Sequence, residues 1–258
     1  VRIDTGKSSH GTGFVVSPDG WILTAAHVVI DPESGQFDKV ISVTLDNGSI
    51  KLATQVVPID QNMAGRDFAL LKIEGTNLSS LDLGDKPEDI VRGSDLTIIG
   101  FPFSALAFHS NGASVKDKFC LSGSVAYTGN TNVSVPVNTP KGPSTVNVNV
   151  DVIYFQGPSV KGLSGSPIIS RDTGHVVAIL TSKLTGISTA LAQTRQTLSR
   201  QGGDQVIIEG IFPGKTTADL IDTLDSQLAN GLGAGTGIED AKAAMRHILR
   251  QRKADGKH

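Results

Sequence analysis

A single cysteine, Cys120, in 258 residues excludes an internal disulfide and any zinc site built on cysteine pairs, so the fold must stand on packing alone. Charge of one sign is also missing: 23 Lys+Arg against 25 Asp+Glu leave a net charge of −2. Neither nucleic acid nor an anionic membrane is recognised without clustered positive charge, so neither is expected as a partner. No run approaches the roughly 18 apolar residues of a membrane span, and the first twenty residues lack the charged-then-apolar order of a signal peptide. The histidines besides His27, at 10, 109, 175, 247 and 258, show no ligand spacing, so no metal is expected. A start at Val1 rather than Met suits a processed product or an excised fragment.

With 38% hydrophobic and 19% charged residues, the chain has the composition of a soluble globular protein. The 29 glycines and 11 prolines point to many turns and short strands. Val146, Val148, Val150 and Val152 alternate with Asn147, Asn149 and Asp151, a period of two that sets the valines on one buried face. Ile41, Val43 and Leu45 repeat it. Further strands are expected at Gly13–Ser17, Trp21–Thr24, Asp67–Ile73, Asp95–Phe101, Phe119–Tyr127, Ser166–Ser170, Val176–Thr181 and Gln205–Phe212. Turn signals such as Pro18-Asp19-Gly20 and Asp172-Thr173-Gly174 separate them. Many strands without long helices between them argue for an all-β barrel or sandwich.

After Pro213 the period changes. Leu220, Ile221, Leu224 and Leu228, behind the capping candidates Thr216 and Thr217, and then Ile238, Ala241, Met245, Ile248 and Leu249 read as two amphipathic helices. Between them Gly231-Leu232-Gly233-Ala234-Gly235-Thr236-Gly237 fails the dinucleotide-binding pattern and reads as a flexible joint. The basic end, with Arg246, Arg250, Arg252, Lys253 and Lys257, reads as a solvated helix face. Cys120 reads as a small buried hydrophobe.

Three local signals carry chemistry. Leu23-Thr24-Ala25-Ala26-His27-Val28-Val29 holds a histidine among small apolar residues, which alone would be a satisfied core side chain. Arg66-Asp67-Phe68-Ala69-Leu70 puts an acid at the mouth of a hydrophobic strand, where alone it would bond a turn. Gly162-Leu163-Ser164-Gly165-Ser166-Pro167 holds a serine between glycines, whose permissive dihedrals can expose its oxygen and aim amides at a carbonyl. Together, in the order His27, Asp67, Ser164, they describe a nucleophile, its base and the orienting acid.

Over roughly residues 10–185 the sequence resembles the trypsin-like, chymotrypsin-fold serine peptidases, most closely their HtrA/Deg branch. The resemblance rests on those three segments, on Leu83-Gly84-Asp85 followed by Thr97-Ile98-Ile99-Gly100-Phe101-Pro102-Phe103, and on Gly174-His175-Val176-Val177-Ala178-Ile179. It implies an all-β fold of two six-stranded antiparallel barrels, here about 10–104 and 115–212. The serine protease domain would then span 1–212, with 213–258 a C-terminal helical extension or linker. It also implies Ser164 as nucleophile, His27 as general acid/base, Asp67 as orienting carboxylate, and Gly162 and Ser164 amides as the oxyanion hole. Substrates would be proteins or peptides, without a cofactor, and the location a bacterial cytoplasm or cell envelope rather than eukaryotic secretion.

Two departures matter. Leu163 stands where digestive trypsins carry the aspartate that pairs with a new N-terminus, so that activation is unavailable. The 213–258 stretch is too short for a PDZ domain; extra helices there suggest a junction to further domains of a longer polypeptide. Glutamyl endopeptidases share the Gly-Ser-Pro ending, but Leu180 stands where they carry a glutamate-reading histidine. The resemblance sets Pro158 at the base of the specificity pocket and Ile179, Leu180, Thr181 and Ser182 along its wall, with no acid from Tyr154 to Ser164. A buried Lys or Arg would lack a partner there, so small to medium aliphatic residues are expected before the cut bond. Lys183 is the group that could instead favour an acid.

Other readings are weaker. An α/β-hydrolase needs Ser, acid and His in that order with intervening helices, and after Ser164 only Asp172 and His175 follow in one hairpin turn. A cysteine peptidase of this fold would carry Cys at position 164. The non-enzymatic alternative is a protease-like scaffold with a closed site, acting as a binding or regulatory module.

Overall fold

The computed structural model describes residues 1–6, 10–30, 36–58, 67–84, 90–102, 118–139, 142–159, 162–183, 194, 196–203, 216–221, 232–239, 241–243 and 245–246. Strands dominate, in two groups split near residue 90. The first comprises β1 (Arg2–Thr5), β2 (His10–Val15), β3 (Trp21–Thr24), the one-turn helix α1 (Ala26–Val29), β4 (Ile41–Thr44), β5 (Ile50–Leu52), β6 (Gln55–Pro58) and β7 (Ala69–Lys72). The second comprises β8 (Asp95–Gly100), β9 (Phe119–Thr139), β10 (Gly142–Gln156), β11 (Pro167–Ser170), β12 (Val176–Lys183) and β13 (Leu232–Gly237).

The first group forms one curled antiparallel sheet in the order β5-β4-β1-β2-β3-β7-β6. Its two end strands are consecutive in sequence, joined through Ala53 and Thr54. Ala53 N–H donates to the Ile41 carbonyl (2.9 Å) and Thr54 N–H to that of Lys72 (2.7 Å), so one bent run brings the sheet round on itself. The second group is a closed barrel, β10-β13-β12-β11-β8-β9. The mostly β architecture expected from the sequence is therefore present, with one closed six-stranded barrel and, in place of a second six-stranded one, a seven-stranded sheet curled into a half-barrel, called the first barrel below.

Alternation explains which side chains fill each barrel. Ile3, Ile22, Val28, Val43 and Leu71 pack inside the first, and Leu96, Ile98, Ile153, Phe155 and Leu180 inside the second. A third cluster takes Phe14, Trp21, Leu23 and Phe68 from the first barrel and Ile169, Val176 and Ile179 from the second. Burying such side chains contributes about 1.5–3 kcal/mol each, which makes this seam a rigid floor for anything built above it.

Several expectations need correction. The glycine run at 231–237 is no flexible joint: 232–237 is β13, paired antiparallel with both β10 and β12. The barrel thus takes its last strand from beyond residue 212, and its glycines answer to close packing. A Cβ on Gly233 would overlap the Phe155 ring, and one on Gly235 would sit 2.5 Å from Ile168 Cδ1. Cys120 is exposed rather than buried. It pairs with Ile99, and Leu121 with Ile98; since Ile98 points inward, the period of two turns Cys120 out.

In the valine stripe, Val150 and Val152 are buried, while the side chains of Val146 and Val148 lie outside the described residues. Asn130–Thr139 of β9 and Gly142–Asp151 of β10 pair only with each other, a two-stranded ribbon projecting past the barrel.

Thr216 caps the expected helix at 217–221: its hydroxyl accepts the Asp219 N–H at 3.1 Å, and the Asp219 carboxylate accepts the Thr216 N–H at 2.8 Å, a reciprocal capping box. Ile238 and Ala241, at the start of the second expected helix, are buried against the inter-barrel cluster with Met245 beside them. The expected strand Gln205–Phe212, Leu224, Leu228, Ile248, Leu249 and the basic end beyond Arg246 lie outside the described residues. No helix among the described residues is long and apolar enough to cross a membrane.

Candidate active site

The seam between the barrels gathers the three sequence signals. β3 ends at Thr24, and the small buried Ala25 and Ala26 let the chain turn at once into α1. The Ile30 N–H closes that turn on the Ala26 carbonyl at 3.0 Å. Val28 and Val29 anchor α1 in the first barrel's core, which leaves His27 on the outer side with its side chain 47% exposed.

Asp67 directly precedes the buried Phe68 and β7, which pairs with β3. Its carboxylate therefore lies beside the start of α1 and grips His27 twice. One oxygen accepts the His27 backbone N–H at 2.9 Å, and the other bonds the ring Nδ1. A carboxylate accepts only, so the Nδ1 carries a proton, and in the neutral ring the lone pair sits on Nε2.

Ser164 comes from the second barrel, in the turn between β10 and β11. Gly162 and Gly165 have φ of 92° and 85°, values that only glycine adopts without strain. The turn is tied to its own barrel by Gly165 N–H to the Leu180 carbonyl (2.7 Å), Leu180 N–H to the Ser166 carbonyl (2.9 Å) and Ser166 N–H to the Leu163 carbonyl (2.9 Å). It is tied to the first barrel by Thr12 N–H to the Ser164 carbonyl, 2.8 Å. Approach there is close. A Cβ on Gly11 would lie 2.7 Å from a Val28 methyl and 2.9 Å from the Ser164 carbonyl oxygen, so the neighbour of His27 and the backbone of Ser164 meet over the same glycine.

The residues expected to line a specificity pocket fall differently. Pro158 is half-buried just after β10. Ile179 is fully buried in the inter-barrel cluster and Leu180 in the second barrel's core beside Phe155 and Leu163. Thr181 is partly exposed, with its hydroxyl 3.5 Å from that of Thr236 on β13. Ser182 pairs with Ala234 through the backbone, and its side chain lies outside the described residues. The proximity of β13 was illegible in a run of glycines. So was Thr12, whose only sequence signal is its place between two glycines.

No group of three or more potential metal ligands occurs among the described residues. With a lone pair on a half-exposed imidazole, a serine on a glycine turn and amides nearby, the arrangement is suited to acyl transfer.

The chain matches the trypsin-like peptidase domain over residues 11–179. It is 33% identical over 193 residues to rat serine protease HTR4, a match covering 73% of this chain and 33% of that protein. It is 38% identical over 97 residues to a probable periplasmic serine endoprotease, DegP-like, of Halomonas elongata, covering 38% of this chain and 18% of that protein. The chain thus spans about a third of the length of the HTR4 relative. Among solved structures, the active form of the Rv3671c protease of M. tuberculosis superposes with a TM-score of 0.53 at 22% identity, covering 71% of this chain and 69% of that one. The HtrA-type protease AlgW with a decapeptide superposes with a TM-score of 0.56 at 20% identity, covering 94% and 52%.

Proposed function

The chain belongs to the trypsin-like peptidase family, and from that premise we propose that it is a serine endopeptidase working through an acyl-enzyme at Ser164. The observation that carries this reading is the double grip of Asp67 on His27, which leaves Nε2 as the proton acceptor. Ser164 Oγ attacks the carbonyl carbon of a bound peptide bond while Nε2 takes its proton. The Gly162 and Ser164 amides receive the negative charge that develops on the carbonyl oxygen, the kind of donor worth about 3–4 kcal/mol. His27 then gives its proton to the leaving amine, the C–N bond breaks, and water, deprotonated by the same nitrogen, releases the acid.

The pocket for the side chain before the cut bond is based on Pro158 and walled by the partly exposed Thr181, with the buried Ile179 and Leu180 supporting it from the core. Since no acid lies between Tyr154 and Ser164, it favours Ala, Val or Leu. Protein or peptide substrates follow from the same reading, a cell-envelope location accords with the DegP-like relative, and a longer polypeptide with further domains accords with the partial span.

Cleavage of a peptide library by the wild-type chain and by Ser164→Ala tests this. Expected are cuts after small aliphatic residues that vanish in the variant; a variant keeping most activity would sink the assignment. Cuts concentrated after Arg or Lys refute the pocket, and cuts after Glu or Asp implicate Lys183. A protease-like scaffold is the second reading, because no hydrogen bond joins the Ser164 hydroxyl to His27 among the described residues. Covalent labelling of Ser164 by a fluorophosphonate decides between the two.

A further inference from the structure

Thr12, on β2, is 1% exposed and has every polar atom engaged. Its N–H donates to the Ser164 carbonyl at 2.8 Å, and its own carbonyl accepts the Thr24 hydroxyl at 2.7 Å. Its hydroxyl donates to the Gly162 carbonyl at 2.8 Å and accepts the Phe101 N–H at 2.9 Å. A hydroxyl has one proton. With Phe101 supplying a donor of its own, that proton is committed to Gly162.

One residue of the first barrel therefore fixes the two carbonyls, of Gly162 and Ser164, that bracket Leu163. A carbonyl held in place fixes the rotation of its peptide unit, so the units 162–163 and 164–165 are both set from outside the turn. The unit between them carries the Ser164 N–H, and its Leu163 carbonyl is held by Ser166. Glycine alone cannot enforce this. At φ of 92° Gly162 is unstrained, but it is equally unstrained in other orientations, and something must select one. The glycines at 11 and 165 serve the same end by allowing close approach, since a Cβ on Gly165 would overlap the Thr12 carbonyl oxygen.

We propose that Thr12 is a positioning residue for the oxyanion hole: its buried hydroxyl, rather than the glycine turn itself, sets the 162–163 peptide unit and so the backbone conformation in which the adjoining Ser164 amide serves the reacting carbonyl. The inference rests on the reading of Ser164 as nucleophile and goes beyond it by assigning the turn's geometry to a residue of the other barrel.

The test compares Thr12→Val, which keeps shape and loses the hydroxyl, with Thr12→Ser, which keeps the hydroxyl, in the full chain. Turnover of a library-derived peptide, the rate of fluorophosphonate labelling and the thermal midpoint are read for each. Thr12→Val should lower kcat and the labelling rate by about a hundredfold with KM changed less than about twofold, and Thr12→Ser should restore both to within about threefold of wild type. A folded Thr12→Val with wild-type kcat and labelling overturns the proposal, as does a Thr12→Ser as impaired as Thr12→Val. Should Thr12→Val not fold, Thr12→Ala against Thr12→Ser isolates the hydroxyl in a smaller side chain, and equal kcat overturns it. If Val and Ala variants both fail to fold while Ser folds, the hydroxyl is a fold determinant and the positioning role falls. A wild-type chain that neither cleaves nor is labelled at Ser164 brings down the peptidase reading and this inference with it, whereas the other outcomes bear on Thr12 alone.

Discussion

Two residues beyond Ser164, the Ser166 hydroxyl is fully buried and has no hydrogen-bond partner among the described residues. Gly100 is pressed against it so closely that a Cβ there would overlap the Ser166 oxygen and come within 2.9 Å of the Thr12 hydroxyl. The Thr12 proton is already taken by Gly162 and so is not donated to Ser166. An orphaned buried hydroxyl costs about 1–3 kcal/mol. Ser166→Ala should therefore raise unfolding stability by about 1 kcal/mol, read as a higher urea midpoint at unchanged slope; a loss of that size would mean that an ordered water satisfies the serine. At this scale the His27–Asp67 contact was legible because each residue sits in a short stretch with its own signature, as does Ser164. Thr12 was not legible, since its hydroxyl meets partners 150 and 89 positions away.

Among elements, the β1–β2 ladder carries a pH response. His10 lies opposite Asp4, with Arg2 on the same strand two residues back. Burial pushes its imidazole below the ordinary value of 6.5; Asp4 pulls it up and Arg2 pushes it further down. The folded chain binds that proton more weakly than the unfolded chain, so stability is full at neutral pH and falls as pH drops through 6.5 toward the depressed value. His10→Gln should flatten the slope of the urea midpoint between pH 7 and 5, and an unaltered slope would place the response elsewhere. Strands with a clear period of two or a solid apolar run, such as β3, β7 and β8, were legible because burial on one or both faces leaves that pattern. β13 was not. Its glycines exist to admit Phe155 and Ile168, and a strand that contributes backbone rather than side chains leaves no periodicity to read.

For the whole molecule, β13 decides where the chain can be cut. It holds one ladder with β10 over Val152–Gln156 and another with β12. A 1–212 fragment would leave both edges unpaired, a setting for aggregation, and would uncover Phe155. That fragment should lose its near-ultraviolet dichroism and its cooperative thermal transition; retention of both would show β13 to be dispensable. The same strand orders events in time. The first barrel's ladders all join residues between 2 and 72, so it can form early from local pieces. The second must wait while the stretch 184–231 is made and then closed, at an entropic cost of about 3–4 kcal/mol. Gly165 hangs on the Leu180 carbonyl, and Leu180 sits in the ladder that β13 completes. During synthesis the serine turn is therefore organised only after residue 237 has emerged, so any chemistry at Ser164 waits until the barrel that carries it has closed.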